Sequence, residues 1–572
     1  MKSALAAVLP ALFVAVAWSA GCGGDDTSTG ATSSSSSSGS GGGAVDIKPP
    51  DSCAFDCGAP CEEPAKPYDC PFLKPWDQTP HDAACGAWDG TYPAPVKGKC
   101  TASAPTGEAA RKTGPFAGGL VLPDGHRITP AGTEWLFQEA DVEGTYPMNV
   151  MPLPGTHLVV VSDGGIDDNV LRLVDVDALA AGSDPVAAHV TFHQPSSLFY
   201  GLAFVPPSRV LASGGGDGKV YAFDVDTTAK TLARAESSDI DLGVGVDGSS
   251  PYYAGPIAVT ADGATLLVAP SDKAADVLVV SLAPGAGYGK TLAAIQIGKT
   301  ATVKTTFDLK RDPFDPAGTT FYLTDIGDDA LLEIDAQKKK ITRQLTLGKN
   351  PAQMVFVDAT RMLVSESDHD AVAVVNRASW SVEAHVPIES DKAPHGFSPS
   401  ALAYDATTHR LYATLAGINA VEAFDVAQNG VPTSAGRIPT AWWPTGVAVE
   451  DDGSLVVIDG KGHGTGTDGM QYPWAEGPIT RLMHGSIQAI PAASLADLGA
   501  STAAVKANLD IASLDGASEV TCPAGADDFP VPRDDAHGPS KIIKHVILVV
   551  RENKTYDGVF GDLPGDGDKS LI

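Results

Sequence analysis

A pair of short strand-like runs recurs about seven times between Met148 and Ile490. In each copy an apolar run ends in small residues, a turn of Gly, Asp or Asn follows, and a second run ends at or near Asp. LVVVS (Leu158 to Ser162) and KVYAFDVD (Lys219 to Asp226) are examples of the two kinds of run. Copies lie roughly 40–55 residues apart, the length of one four-stranded propeller blade. We therefore predict an all-β fold with a seven-bladed β-propeller over residues 113–491.

The residue pattern inside the runs agrees with strands that are buried between neighbouring sheets. In RLYATL, the apolar residues Leu411, Ala413 and Leu415 alternate, as expected of a pleated strand with one buried face. Leu266 to Val268 is apolar without a break, which indicates burial on both faces. A β-sandwich array would also contain many short strands but lacks this internal order, and a β-helix repeats at a shorter period.

Two segments beside the repeats have predicted roles in the fold. The stretch from Phe116 to Thr145 contains strand-like pieces, and we expect it to lend a strand to the last blade and so close the ring. Ala492 to Leu509 has apolar residues at helical spacing and is predicted to be a helix, opening a helix-and-connector region over 492–540.

The length of the chain implies more than one folded unit. Its 572 residues exceed the size of one ordinary hydrophobic core, so at least two folded units plus linkers are expected.

The charge of the chain restricts its partners. With 39 basic against 70 acidic residues, the formal charge is −31. Such a surface repels nucleic acid and anionic lipid headgroups, so we expect no nucleic-acid partner and no membrane contact other than a lipid anchor.

The N terminus has the features of an export signal over residues 1–22. Lys2 precedes an apolar stretch, Ala4 to Ala17, and small residues then lead to Cys22. This arrangement resembles the lipobox of bacterial lipoproteins, which implies lipidation of Cys22 and a place in the cell envelope, periplasmic or on the surface. Residues 23–50, rich in Gly and Ser, would be a disordered tether. The alternative is ordinary signal cleavage near Ala20.

A cysteine-rich segment follows over residues 51–112. It has few apolar residues, and six of the eight cysteines fall in it, namely Cys53, Cys57, Cys61, Cys70, Cys85 and Cys100. In an exported chain an even count indicates disulfides, whose connectivity the sequence does not determine. A metal knuckle is the alternative, since Cys53, Cys57 and Cys61 are closely spaced, but exported thiols are seldom kept reduced for zinc. If Cys22 carries lipid, Cys522 is left without an evident partner.

Three loop patterns inside the repeats contain residues that could form a site. Recurring Asp-Gly pairs, such as Asp163-Gly164, Asp217-Gly218, Asp262-Gly263 and Asp452-Gly453, indicate tight turns rather than calcium loops. In SESDHD, Glu366, Asp368, His369 and Asp370 form either a hydrated loop at the propeller rim, which we favour, or a ligand or base centred on His369. The run GKGHGTG (Gly460 to Gly466) interrupts the seventh copy and lacks the spacing of a nucleotide-binding loop.

The C-terminal segment 541–572 carries the residues best suited to chemistry. Lys544 to Val550 has the pattern of a buried parallel strand. Glu552 and Asn553 follow it, at the strand end where α/β folds place ligands. A carboxylate beside an amide oxygen suits a divalent metal, although solvated polar residues at a strand end are the simpler interpretation.

The run HVILVVRENKTYDGVFGD, from His545 to Asp562, resembles the opening motif of the bacterial phosphoesterase family that contains acid phosphatases and phospholipases C. The preceding IPTAWWPTGVAVEDDGSLVVIDGKGHGTG resembles the last blade of a subgroup that joins a propeller to this enzyme. The resemblance implies that Glu552 and Asn553 bind the active-site metal and that the chemistry is metal-assisted phosphoester hydrolysis.

In this family the nucleophile and the remaining metal ligands follow the opening motif at positions that would lie beyond Ile572. We therefore assign no catalytic nucleophile in this sequence. We therefore expect only the first strand of an incomplete α/β phosphoesterase domain, which would not hold a divalent metal by itself. Three interpretations follow: a shortened sequence of a full enzyme, half of a split protein completed by a second polypeptide, or a degenerate relative retained as a propeller. The competing function is a non-enzymatic surface propeller that binds protein or glycan.

Overall fold

The computed structural model describes residues 114–509, apart from short gaps, and also residues 543 and 545–548. The gaps are 117, 123–124, 166–167, 194–195, 245–250, 272–275, 298–304, 389–395, 428–430 and 465–482. Almost every element in this part is a strand, and paired strands within each sheet run antiparallel. The all-β prediction is confirmed.

The described part of the chain begins with a small sheet and with a single strand that joins the last large sheet. The small sheet consists of β1 (Gly114–Phe116), β2 (Gly119–Val121) and β3 (Arg127–Ile128), and the single strand is β4 (Thr133–Leu136). Sheet 1 contains β5 (Pro147–Pro152), β6 (Leu158–Asp163), β7 (Asp168–Asp175) and β8 (Val186–His193), with the short helix α1 (Val176–Ala180) between β7 and β8.

Sheets 2 to 4 repeat this antiparallel order. Sheet 2 contains β9 (Leu202–Val205), β10 (Arg209–Ser213), β11 (Lys219–Asp226), β12 (Thr231–Arg234) and the two-residue β13 (Ile240–Asp241). Sheet 3 contains β14 (Ala254–Val259), β15 (Thr265–Pro270), β16 (Val277–Ser281) and β17 (Thr291–Ile295). Sheet 4 contains β18 (Thr306–Arg311), β19 (Thr320–Asp325), β20 (Ala330–Asp335) and β21 (Lys340–Thr346).

Sheets 5 to 7 complete the series. Sheet 5 contains β22 (Pro351–Phe356), β23 (Arg361–Glu366), β24 (Ala371–Asn376) and β25 (Ser381–Pro387). Sheet 6 contains β26 (Pro399–Asp405), β27 (Arg410–Leu415), β28 (Ala420–Asp425) and β29 (Thr433–Pro439). Sheet 7 contains β30 (Trp442–Val449), β31 (Leu455–Gly464), β32 (His484–Ile490) and the early strand β4.

The seven sheets contact one another in cyclic order through their first strands. Each of β5, β9, β14, β18, β22, β26 and β30 contacts the next, and β30 contacts β5 again. A separate apolar core fills each junction between neighbouring sheets, including the junction of sheet 7 with sheet 1. Sheets packed face to face around a central axis define a β-propeller.

The unbroken apolar runs are explained by burial on both sides of each sheet. Along β15, Leu266 and Val268 pack in the core shared with sheet 2. Leu267 and Ala269 point the other way and pack against sheet 4. Because alternate residues of a strand point to opposite faces, a strand between two neighbouring sheets needs apolar residues at every position.

The predicted closure by an N-terminal strand is confirmed. Strand β4 pairs antiparallel with β32, with Trp135 opposite Ile487 and Thr133 opposite Ala489. The outer edge of β32 is therefore covered by a segment that precedes sheet 1 in the chain. This arrangement joins the two ends of the ring with hydrogen bonds and leaves β32 without an exposed edge.

The segment after the last sheet is helical, as predicted, but in two pieces. A single 3-10 turn (Ala492–Leu495) precedes helix α2 (Gly499–Asn508). Helix α2 packs on β29, and Leu495, Leu498 and Val505 are buried there. No helix in the described part of the chain is long and apolar enough to cross a membrane.

Three of the four Asp-Gly pairs form turns, and the fourth is different. Gly218, Gly263 and Gly453 have φ of 66°, 67° and 82°, which glycine adopts at little cost. Asp163, in contrast, ends β6, is fully buried, and accepts a hydrogen bond from the Nη1 of Arg172 at 2.6 Å. Its Oδ1 also accepts a hydrogen bond from the backbone N–H of Gly165 at 3.0 Å, so Asp163 both caps the connection to β7 and pairs with a buried cation.

The glycine-rich run of the seventh copy also differs from the prediction. Instead of interrupting the sheet after Asp459, β31 continues to Gly464, with shifts of register beyond Asp459 and beyond Gly462. Gly462 approaches the opposite strand so closely that an added Cβ would lie 2.2 Å from the carbonyl oxygen of His484. Glycine is therefore required where the strand bulges against its neighbour.

The C-terminal segment is described only in part. Residues 545–548 form no strand, and Val546, Ile547 and Leu548 are 81–85% exposed. The expected buried strand is therefore not seen in these residues, because none of their backbone groups is paired in a sheet. Cys22, the six cysteines of segment 51–112, Cys522, Glu552 and Asn553 lie outside the described residues.

Candidate functional site

A cavity of 490 Å³ opens where the first strands of the sheets begin. A second cavity of 580 Å³ shares four lining residues with it, Asn149, Tyr200, Phe307 and Gln353. We call the 490 Å³ cavity the mouth. It is bordered by the first strands and by the loops that follow the second strands, which carry Asp368 and Asp370. Cavities of this size at the axis of a propeller can hold a small ligand or a protruding side chain.

Rigid aromatic side chains form the apolar part of the mouth. The Tyr200 ring stacks on Phe307 with centroids 5.5 Å apart, and its hydroxyl donates to the carbonyl oxygen of Thr306 at 2.8 Å. Trp443 also lines the mouth and packs against the apolar cluster that contains Tyr200, with the Lys461 ammonium 4.2 Å from its ring centroid. Fixed aromatic faces lose little side-chain entropy when a ligand packs on them.

The polar part of the mouth is acidic. The Asp370 carboxylate accepts hydrogen bonds from the backbone N–H groups of Gly396 and Ser398, at 2.8 and 3.0 Å, which hold the loop in place. The side chain of Asp368 is exposed and accepts from the amide of Asn350. Partial desolvation and the negative charges of Asp370 and Asp329 raise the pKa of Asp368. A positively charged group bound beside Asp368 would relieve this repulsion.

The same loop contributes to a second cluster, on the other side of β23. Glu366 is completely buried, and its Oε1 accepts a hydrogen bond from the backbone N–H of Gly348 at 2.6 Å. Its Oε2 lies 2.8 Å from Nδ1 of His369 and 2.7 Å from Nδ1 of His385. We call these three side chains the His–Glu cluster.

The sequence singled out part of this region and missed the rest. SESDHD supplies Glu366 and His369 to the His–Glu cluster and Asp368 and Asp370 to the mouth, so the loop is shared by two sites. His385 was missed because it lies on β25, two strands from Glu366. The strand register explains this contact. Glu366 is opposite Ala371 on β24, and Ala371 is opposite Pro387 on β25. His385 lies two positions from Pro387 and therefore on the same face of the sheet as Glu366.

An acidic hollow lies at the opposite ends of sheets 6 and 7. Glu450, in the turn between β30 and β31, is 5% exposed, and its Oε1 has no hydrogen-bond partner among the residues that the structure describes. Burial raises the pKa of Glu450 to about 7, and the charges of Asp452 and Asp451 add to the rise, while His157 opposes it. Ionised Glu450 therefore destabilises the folded chain.

We expect Glu450→Gln to stabilise the protein only at neutral and alkaline pH. The folded-state pKa of about 7 exceeds the ordinary value of 4.5, so the folded state binds the proton more tightly. Stability is therefore lost as pH rises between these values. The variant should match wild type at pH 4.5 and exceed its free energy of unfolding by about 1–3 kcal/mol at pH 8. Urea unfolding across this pH range measures the difference; an equal stability at pH 8 would contradict the shift.

Comparison with known proteins supports no family assignment. No protein-family model and no curated protein matches the chain. Among solved structures, Kuenenia stuttgartiensis hydrazine synthase is 16% identical with a TM-score of 0.43, over 56% of this chain and 94% of that one. A catalytically inactive virginiamycin B lyase from Staphylococcus aureus, solved with quinupristin, is 10% identical with a TM-score of 0.42, over 62% and 98%.

The Myceliophteria thermophila Cps50 (Swd1) β-propeller domain is 11% identical with a TM-score of 0.41, over 62% of this chain and 98% of that one. Likenesses at this level concern the fold and carry no ligand or reaction to this chain. The cyclic sheets, their junction cores and the closing strand define the class directly. The chain is a β-propeller protein.

Proposed function

We propose that this chain is a binding protein that receives a basic side chain of a partner protein at the mouth of its propeller. The observation that carries the proposal is the joining of fixed aromatic faces, Tyr200, Phe307 and Trp443, with the carboxylates Asp368 and Asp370 in one 490 Å³ cavity. A lysine or arginine stem packs on aromatic rings while its charged end pairs with a carboxylate. The net charge of −31 also favours a basic partner.

A glycan is the alternative occupant. Sugars also stack on aromatic rings, and their hydroxyl groups donate hydrogen bonds to carboxylates. The raised pKa of Asp368 favours the protein ligand, because a neutral sugar would not relieve the repulsion from Asp370 and Asp329. The two classes are separated by their dependence on salt, since only the charged ligand is screened.

Binding to peptide and glycan arrays tests the proposal on the full chain. The peptides carry lysine, arginine or norleucine at a central position, so that charge is varied at nearly constant length. We expect capture of the basic peptides, weakened about 5-fold to 10-fold by Asp368→Asn and more by Trp443→Ala. Asp452→Asn, at the opposite ends of the sheets, is the matched control and should bind like wild type. Binding of glycans alone, or equal binding by the Asp368 variant, would contradict the proposal.

Metal-dependent phosphoester hydrolysis is a second candidate function, supported by the motif from His545 to Asp562. In this proposal Glu552 and Asn553 bind a divalent metal only when further ligands are supplied, for instance by a second polypeptide. Hydrolysis of a chromogenic phosphate monoester with added Mn²⁺, Ca²⁺ or Zn²⁺, abolished by Glu552→Ala, would support it. The absence of turnover with every metal favours the binding protein.

The N-terminal sequence supports a place in the cell envelope. We propose that Cys22 carries lipid, that residues 23–50 form a tether, and that the six cysteines of segment 51–112 are paired. Mass spectrometry of the mature protein from a bacterial host tests the lipidation and the cysteine pairing. A lipidated N-terminal Cys22 and six unalkylated cysteines are the expected result. A free N terminus near Ala20 would indicate ordinary secretion.

A further inference from the structure

We propose that the His–Glu cluster binds a divalent transition-metal ion of the zinc class through Glu366, His369 and His385. The site is distinct from Glu552 and Asn553 and does not depend on the ligand of the mouth. It lies in sheet 5, with Glu366 at the end of β23, His369 in the turn that follows and His385 on β25. The proposal rests on the distances, the burial and the surroundings of these three side chains.

The three donor atoms are close to coordination distance from a common centre. One ligand atom from each side chain lies within 4.8 Å of the other two. The carboxylate oxygen is 2.8 and 2.7 Å from the two Nδ1 atoms. Zinc binds such donors at about 2.0–2.2 Å in a tetrahedral arrangement, so two ligand atoms around it lie roughly 3.4 Å apart. The carboxylate oxygen and the two nitrogens would therefore have to separate by roughly 0.5–1 Å to accept the ion.

Glu366 is a buried carboxylate beside two imidazoles. Its side chain is fully buried, and it forms ion pairs with His369 and His385, which are charged only if protonated. A buried carboxylate without a compensating charge destabilises a fold by several kcal/mol. A metal ion held by this carboxylate and by the two imidazoles would supply a compensating charge.

The donor set indicates which metals fit. Two imidazole nitrogens and one carboxylate oxygen suit Zn²⁺, Co²⁺, Ni²⁺ or Fe²⁺ better than Ca²⁺ or Mg²⁺, which prefer oxygen. The side chains of His369 and His385 are 47% and 40% exposed, so one side of the cluster faces solvent. Three protein ligands with open positions toward solvent leave room for water or for an external ligand on the metal.

Gly348 shows how tightly the backbone packs on the cluster. A Cβ added at this position would lie 2.3 Å from Nδ1 of His369 and 2.5 Å from Oε2 of Glu366. A side chain here would displace two of the three donor atoms. Because Gly348 also donates its N–H to Oε1 of Glu366, the backbone orients the carboxylate toward the histidines.

Zinc titration of the full chain by calorimetry tests the proposal. The key variant is His385→Asn, whose side-chain amide can keep the hydrogen bond that Nδ1 makes but is a poor zinc ligand. Glu366→Gln and Gly348→Ala alter the same cluster in different ways. Wild type should bind one Zn²⁺ equivalent that each variant loses or binds at least about 100-fold more weakly. His189→Asn, in an exposed pair with Asp141, is the matched control and should keep that equivalent.

Three further measurements distinguish loss of the metal site from loss of the fold and from binding at cysteine thiolates. Circular dichroism and the unfolding midpoint identify variants that lose the fold, and His385→Asn is expected to retain it. Cobalt absorption separates this nitrogen and oxygen site from any site built of cysteine thiolates. The proposal is overturned if wild type binds no zinc at a thiolate-free site, or if folded His385→Asn and Glu366→Gln keep the wild-type stoichiometry and affinity. The cluster is then a hydrogen-bonded structural unit only.

Discussion

Replacing Arg172 with Met should lower the free energy of unfolding by about 3–5 kcal/mol. Arg172 is completely buried and joins the fully buried Asp163 to Glu139, whose side chain is 9% exposed: Nη1 donates to Asp163 at 2.6 Å, and Nε and Nη2 donate to Glu139 at 2.5 and 2.9 Å. Burial opposes ionisation of Glu139, but the Arg172 charge outweighs it and holds the pKa of Glu139 below its ordinary value. The variant leaves two buried carboxylates without a cation.

An exposed pair in the next sheet provides the matched control. Arg209 donates to Asp224 at 2.7 Å, but the two side chains are 30% and 56% exposed. Arg209→Met should therefore cost less than about 1 kcal/mol. Adding Glu139→Gln and Asp163→Asn to Arg172→Met should recover part of the loss, because no unpaired charge then remains buried. Urea unfolding measures all of these, and equal losses for Arg172→Met and Arg209→Met would refute the interpretation.

Gly132→Ala should break the closure of the ring. Gly132 precedes the closing strand β4 and has a φ of +72°, and an added Cβ would lie 2.1 Å from the carbonyl oxygen of Ala489 on β32. The substitution thus combines left-handed backbone strain with a clash against the strand that β4 must pair with. We expect a loss of about 2–5 kcal/mol in the free energy of unfolding.

Gly155→Ala separates the two causes. Gly155 has a φ of +70° but no atom within 4 Å of the added Cβ, so only the backbone strain of about 1 kcal/mol applies. Limited proteolysis should also cut near residues 133–136 in the Gly132 variant and not in the Gly155 variant, since a released β4 is accessible. The same stability and the same protease resistance in both variants would show that the contact with Ala489 does not control closure.

The candidate sites were predictable only where their residues are neighbours in sequence. SESDHD was recognisable because Glu366, Asp368, His369 and Asp370 lie within five positions of one another. Its division into a mouth side and a cluster side was not recognisable, because that depends on which way each side chain points from the end of β23. Asp163 shows the same limit: its pairing with Gly164 suggests a turn, and only the position of Arg172 on β7 shows its use.

The amino-acid sequence by itself determined the strand repeat, the burial of strands on both faces and the supply of a closing strand from the N-terminal side. These follow from hydrophobic periodicity and turn residues, which act over a few positions and are written in the local order of the chain. Tertiary structure alone decided that His385 meets Glu366 and that residues from separate sheets share one mouth. Such contacts depend on strand register and on the packing of sheets around the axis, because these bring together side chains that are far apart in sequence.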